Sequence, residues 1–111
     1  MVSEVSTQMR FLMKVSLPTD KVNEMMKAGK FGPTLDTILS DLKPEAAYFI
    51  AENGERMACL VVDMEKPSEL PKVAEPFFHA FGSRVEATPA MVLSDVREAG
   101  PAIEAAASRF G

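Results

Sequence analysis

Cysteine and histidine, the commonest transition-metal ligands, are nearly absent from this chain. It has one cysteine, Cys59, and one histidine, His79. A lone cysteine rules out an internal disulfide and suits a reducing compartment, so the expected location is cytoplasmic. No apolar run approaches the roughly 20 residues of a membrane span, so a membrane is not an expected partner. The opening residues, MVSEVSTQ, lack a basic region followed by an apolar one and so do not read as a secretory signal. Residues 1–8 read as a short disordered tail, with Met9 as a second possible start. Positive charge is outnumbered, with 12 Lys and Arg against 16 Asp and Glu. The net charge is −4 and the pI about 5.0, so nothing attracts a phosphate backbone at long range and nucleic acid is not an expected partner.

The 111 residues are enough for one domain, 9–111, but not for two. A domain of this size buries roughly two thirds of its unfolded surface, which leaves little room for a deep internal cavity. Apolar residues make up 47%, a soluble globular value. Eight methionines are many for this length, and Met fills irregular cores or adaptable surfaces.

Two periodicities alternate along the chain. RFLMKVSL, from Arg10 to Leu17, has apolar residues at every odd position, the period of a strand. Thr19-Asp20 reads as an N-cap and first-turn acid for a helix carrying Val22, Met25 and Met26. GKFG interrupts that helix and Pro33 restarts it. Leu35, Ile38, Leu39 and Leu42 then repeat at helical spacing. A second strand, Ala46 to Glu52, and a third, Arg56 to Met64, flank Asn53-Gly54, a strong hairpin signal. Ser68 is the expected cap of a helix over Glu69 to Phe81, with Pro76 kinking or dividing it and Gly82 ending it. The fourth strand is expected over Arg84 to Met91, and Pro89 marks it as an edge. A short turn or helix at Ser94-Asp95 and an Ala-rich helix from Pro101 to Phe110 close the chain.

The hairpin and right-handed crossovers leave one natural topology. It is an α+β, ferredoxin-like βαββαβ sandwich: a four-stranded antiparallel sheet of order 4-1-3-2, helices on one face, and an added C-terminal helix. Strand alternation assigns Phe11, Met13, Val15, Leu17, Ala47, Phe49, Ala51, Ala58, Leu60, Val62, Met64, Val85, Ala87, Pro89 and Met91 to the face that packs against the helices. The opposite face is half apolar. Leu12, Tyr48, Ile50, Cys59 and Val61 form a patch there that only the C-terminal helix remains to cover. Such a patch suggests a partner or ligand surface.

The candidate ligand-binding residues point from that open face: Lys14, Tyr48, Cys59, Asp63, Arg84 and Glu86. Tyr48 suits hydrogen-bond donation, and Lys14 or Arg84 suits a carboxylate or enolate. The competing reading is surface ion pairing. Cys59, mid-strand among apolar residues, reads as a small hydrophobe. His79 shares a helix face with Lys72 and Glu75 and reads as an exposed surface histidine with no metal or haem role. GKFGP lacks the spacing of a phosphate-binding loop. Its Phe31 reads as a lid over a pocket edge. RMACLVVDM has no aromatic to stack a base, against RNA binding. Neither a metal nor a cofactor is expected.

MRFLMKVSLP, AYFIAENGERMACLVVDM, LPKVAEPFFHAFG and VEATPAM together resemble the dimeric α+β barrel superfamily over roughly residues 9–92. The chain is also similar to small bacterial proteins of this general type. The resemblance is one of pattern and length, so no catalytic residue carries over. It implies two domains that place their open sheet faces together around a pocket. Members include cofactor-free monooxygenases, muconolactone isomerase, chlorite dismutase-like haem proteins and amino-acid-sensing regulators. The expected function is thus a homodimer binding a small, partly apolar molecule, with monooxygenase or isomerase chemistry as an extension. The alternative is a non-catalytic binding, regulatory or assembly module.

Overall fold

The computed structural model describes residues 9–111. The expected tail at 1–8, and with it the choice of start, lies outside the described residues. The chain runs β1 (Met9–Leu17), α1 (Thr19–Lys27), α2 (Phe31–Leu42), β2 (Ala46–Glu52), β3 (Glu55–Met64), a 3-10 turn (Pro67–Glu69), α3 (Leu70–Phe81), β4 (Val85–Pro89), α4 (Leu93–Glu98) and α5 (Gly100–Phe110). The four strands form one antiparallel sheet in the order β2-β3-β1-β4, the order expected from the sequence.

The turn residues act as their chemistry dictates. Asn53 and Gly54 both take positive φ, 53° and 75°, the requirement of a tight primed hairpin turn. Gly82, at φ 68°, ends α3 as expected, and the N–H groups of Gly82 and Ser83 donate to the carbonyls of Phe78 and Phe77. Two caps differ from expectation. Thr19 is already helical and gives no side-chain cap. Ser68 does not cap α3; the Glu69 carboxylate instead reaches back to accept from the N–H groups of Glu65 (2.5 Å) and Lys66 (2.8 Å). Those two hydrogen bonds hold Glu69 below the ordinary carboxylate range. Pro76 does not divide α3.

The core lies on one face of the sheet. Met13, Val15 and Leu17 of β1 and Ala58, Leu60, Val62 and Met64 of β3 pack with Val22, Ile38, Val73, Phe77 and Phe81 of the helices. Phe77 and Phe81 are its largest fully buried side chains. Phe31 packs on the Phe81 ring at 5.4 Å between centroids, so it belongs to the core margin and is not a free lid.

The helix-facing side of the sheet is covered only at its centre. The edge strands β2 and β4 supply no member of the buried cluster. Ala47, Phe49, Ala51, Ala87, Pro89 and Met91, all expected beneath helices, are exposed. Alternation tells which face a residue takes, but not how far the helix layer extends sideways. The C-terminal helix also departs from expectation. Every residue from 101 to 111 is exposed, so α5 covers neither sheet face. Among the described residues no helix is long and apolar enough to cross a membrane.

Two stability outcomes follow from this packing. Phe77→Ala is expected to cost about 3–5 kcal/mol in urea unfolding, a large share of the roughly 5–15 kcal/mol total of an ordinary domain. Deleting residues 100–111 is expected to leave the urea midpoint of the remaining domain unchanged, because an isolated helix of this length is marginal and no buried side chain is lost.

Candidate functional site

The strand registers order the open face into transverse rows. Ala46, Val61, Leu12 and Thr88 lie in one row across β2, β3, β1 and β4. Tyr48, Cys59, Lys14 and Glu86 form the next. Ile50, Met57 and Ser16 follow, with Arg84 beside Ser16 through backbone and side-chain hydrogen bonds. Four of the six candidate residues therefore share a single row, and Arg84 lies one row away. Asp63 stands apart, opposite Arg10.

Two ion pairs frame this face. Arg10 Nε meets Glu45 Oε1 at 2.8 Å, and Lys14 Nζ meets Glu52 Oε2 at 2.6 Å. Arg10 and Lys14 belong to β1, whereas Glu45 immediately precedes β2 and Glu52 ends it. Each pair must therefore cross β3. By register, Met57 lies on β3 between Cys59 and Glu55, the stretch that the Lys14–Glu52 pair spans. Met57 is only 4% exposed although it belongs to the open face. Ser16 is buried as well, its hydroxyl accepting from Arg84 N–H at 2.7 Å.

The window between the two pairs is apolar. Leu12 and Tyr48 are 40% and 65% exposed, while Cys59 and Val61 are half-buried between them. Ile50 extends the patch at 43% exposure. None of the described helices shields it. Arrangement of the candidate residues thus follows the expected facing, but Lys14 is already engaged by Glu52. The Glu52 hydrogen bond, with the charges of Glu52 and Glu86, raises the Lys14 ammonium above its usual value. A lysine held this way keeps its proton at neutral pH and serves as a fixed positive charge, not as a base.

Strand alternation puts Glu52 on this face with Tyr48 and Ile50 but does not reveal its bond to Lys14. It missed Glu45 entirely, because residues outside the strands escape alternation. His79 is exposed and pairs with Glu75 at 3.1 Å, as its helical facing implied. Among the described residues no three His, Cys, Asp or Glu side chains gather as a metal site. No protein-family model, curated protein or solved structure matches the chain.

The sign of the pH effect follows from the raised Lys14 value. Its share of stability is fully present below 10.5, the ordinary value, and is lost as pH rises through the higher folded value. The difference in urea midpoint between the native chain and Glu52→Gln is expected to stay level from about pH 6 to 9 and to shrink above 10.5.

Proposed function

We propose that two copies of this chain associate through the open sheet face and hold a small, partly apolar molecule between them. The observation that carries this is the uncovered window of Leu12, Tyr48, Cys59 and Val61, which no described helix shields. An exposed apolar patch with a polar surround is the ordinary mark of an interface. The row of Tyr48, Lys14 and Glu86 would supply the polar contacts.

The fold is read in the same sense. With α1 and α2 as one interrupted crossover, β1 through β4 follow the ferredoxin-like βαββαβ plan, and facing two such sheets makes a dimeric α+β barrel. Binding fits these residues better than catalysis does. Lys14 keeps its proton through its bond to Glu52, and Cys59 has no basic neighbour in its row other than that protonated lysine. The reading is therefore a cytoplasmic, non-catalytic ligand-binding or regulatory homodimer.

Light scattering after size exclusion tests the association. The native chain is expected at twice its 12.1 kDa mass. Leu12→Glu and Tyr48→Glu are each expected to run as folded monomers, because a charge is then placed in the buried centre of the interface. A native chain that stays monomeric at about 100 μM, weaker than ordinary specific dimers, overturns the reading.

A further inference from the structure

The helix-covered face carries one charged residue that the strand pattern did not bring to notice. Arg56 pairs in register with Leu17 on one side and Ala51 on the other, so it shares the face of the core residues. It lies at the end of β3, where the helix layer gives out over β2. Its Nη1 is buried with no hydrogen-bond partner, and no ion pair among the described residues engages its guanidinium. A buried donor without an acceptor costs stability, and a partly desolvated cation without a counter-charge costs more.

Arg56 lines a cleft of about 400 Å³. Phe31 and Leu35 of α2 form one wall, and Phe49 and Ala51 of β2 form the other. Among the described residues the seven others that line it are apolar, which leaves Arg56 as their single polar member. The volume falls within the usual range for small-molecule sites, about 300–1,000 Å³. Phe31 is the first residue of α2, so the cleft opens at the positive end of that helix dipole. A neutral apolar molecule would leave the guanidinium as it is, and a cation would be repelled. An anion with an apolar tail answers both the charge and the walls. A planar carboxylate also matches the guanidinium fork.

We infer that this cleft binds a small monocarboxylate with an apolar tail, its carboxylate on Arg56 and its tail along Phe49, Phe31 and Leu35. The site lies mainly on the face of the sheet opposite Lys14 and Tyr48, with Ile50 and Met57 also in its lining at the β2–β3 end, and it does not depend on the dimer.

The test uses octanoate, 1-octanol and octylamine as probes, followed by calorimetry and by amide chemical shifts of the full chain. Octanoate is expected to bind at least about tenfold more tightly than octanol, with octylamine weakest, since the charge-assisted contact distinguishes them. Its shifts should centre on Phe31, Leu35 and Ala51. Arg56→Gln should remove the preference for octanoate over octanol, whereas Phe49→Ser should weaken both alike. Should Arg56→Gln fail to fold, the ranking of the three probes on the native chain decides. The inference is overturned if octanoate binds no better than octanol, if Arg56→Gln keeps the preference, or if the shifts centre on Leu12 and Tyr48. That last result would instead support the ligand site on the open face.

Discussion

The pairing of β1 with β3 is the contact on which the rest of the molecule depends. Nine residue pairs run without a break from Met9 opposite Met64 to Leu17 opposite Arg56. Their inward side chains supply every strand residue of the buried cluster. A slip of one residue would turn Met13, Val15 and Leu60 to solvent and bring Lys14 and Asp63 into the core. The register is thereby locked by the energy of burial. The same lock sets the polar rows on the other face, because Lys14 can stand beside Cys59 only when Val15 stands beside Ala58.

Electrostatics adds a second layer to this frame. Both cross-sheet ion pairs start on β1 and end at the two termini of β2, passing over β3. Exposed pairs of this kind contribute little to stability. Their effect is geometric: they lay two aliphatic stems across the sheet and leave an apolar window between them. On the opposite face Arg56 is the reverse case, a cation in an apolar cleft with no ion-pair partner among the described residues. One face thus has Arg10 and Lys14 paired around an apolar centre. The other has an apolar cleft around an unmatched charge.

Much of the fold was legible in the sequence, because its signals are local. Alternation in RFLMKVSL and RMACLVVDM marked the central strands, Asn53-Gly54 marked the hairpin, and Gly82 marked the end of α3. Misreadings arose where the outcome depends on tertiary reach. Ala47, Phe49 and Ala51 carry the same apolar pattern as the core, yet no helix extends over them. Phe31, between two glycines, looked like a free lid because its partner Phe81 is fifty residues away. For the candidate site, facing was legible and pairing was not. Alternation puts Lys14 and Glu52 on one face, but only the assembled sheet shows that a side chain can span from β1 to β2. Arg56 escapes this pattern because it is the second residue of its strand, where a charge is ordinarily solvated.

Strand β2 has its outer edge open, since β3 pairs only its inner side. Its central run, AAYFIA, is uncharged, rich in β-forming residues and largely exposed, the profile of a segment that recruits further strands into fibrils. Glu45 and Glu52 stand at its two ends, in the position of gatekeepers. Both are held there by Arg10 and Lys14 of β1. The ion pairs that frame the open face thereby also fasten negative charge at each end of this exposed, uncharged edge stretch. Unfolding of β1 would release those charges from their posts at the moment the stretch becomes free to pair.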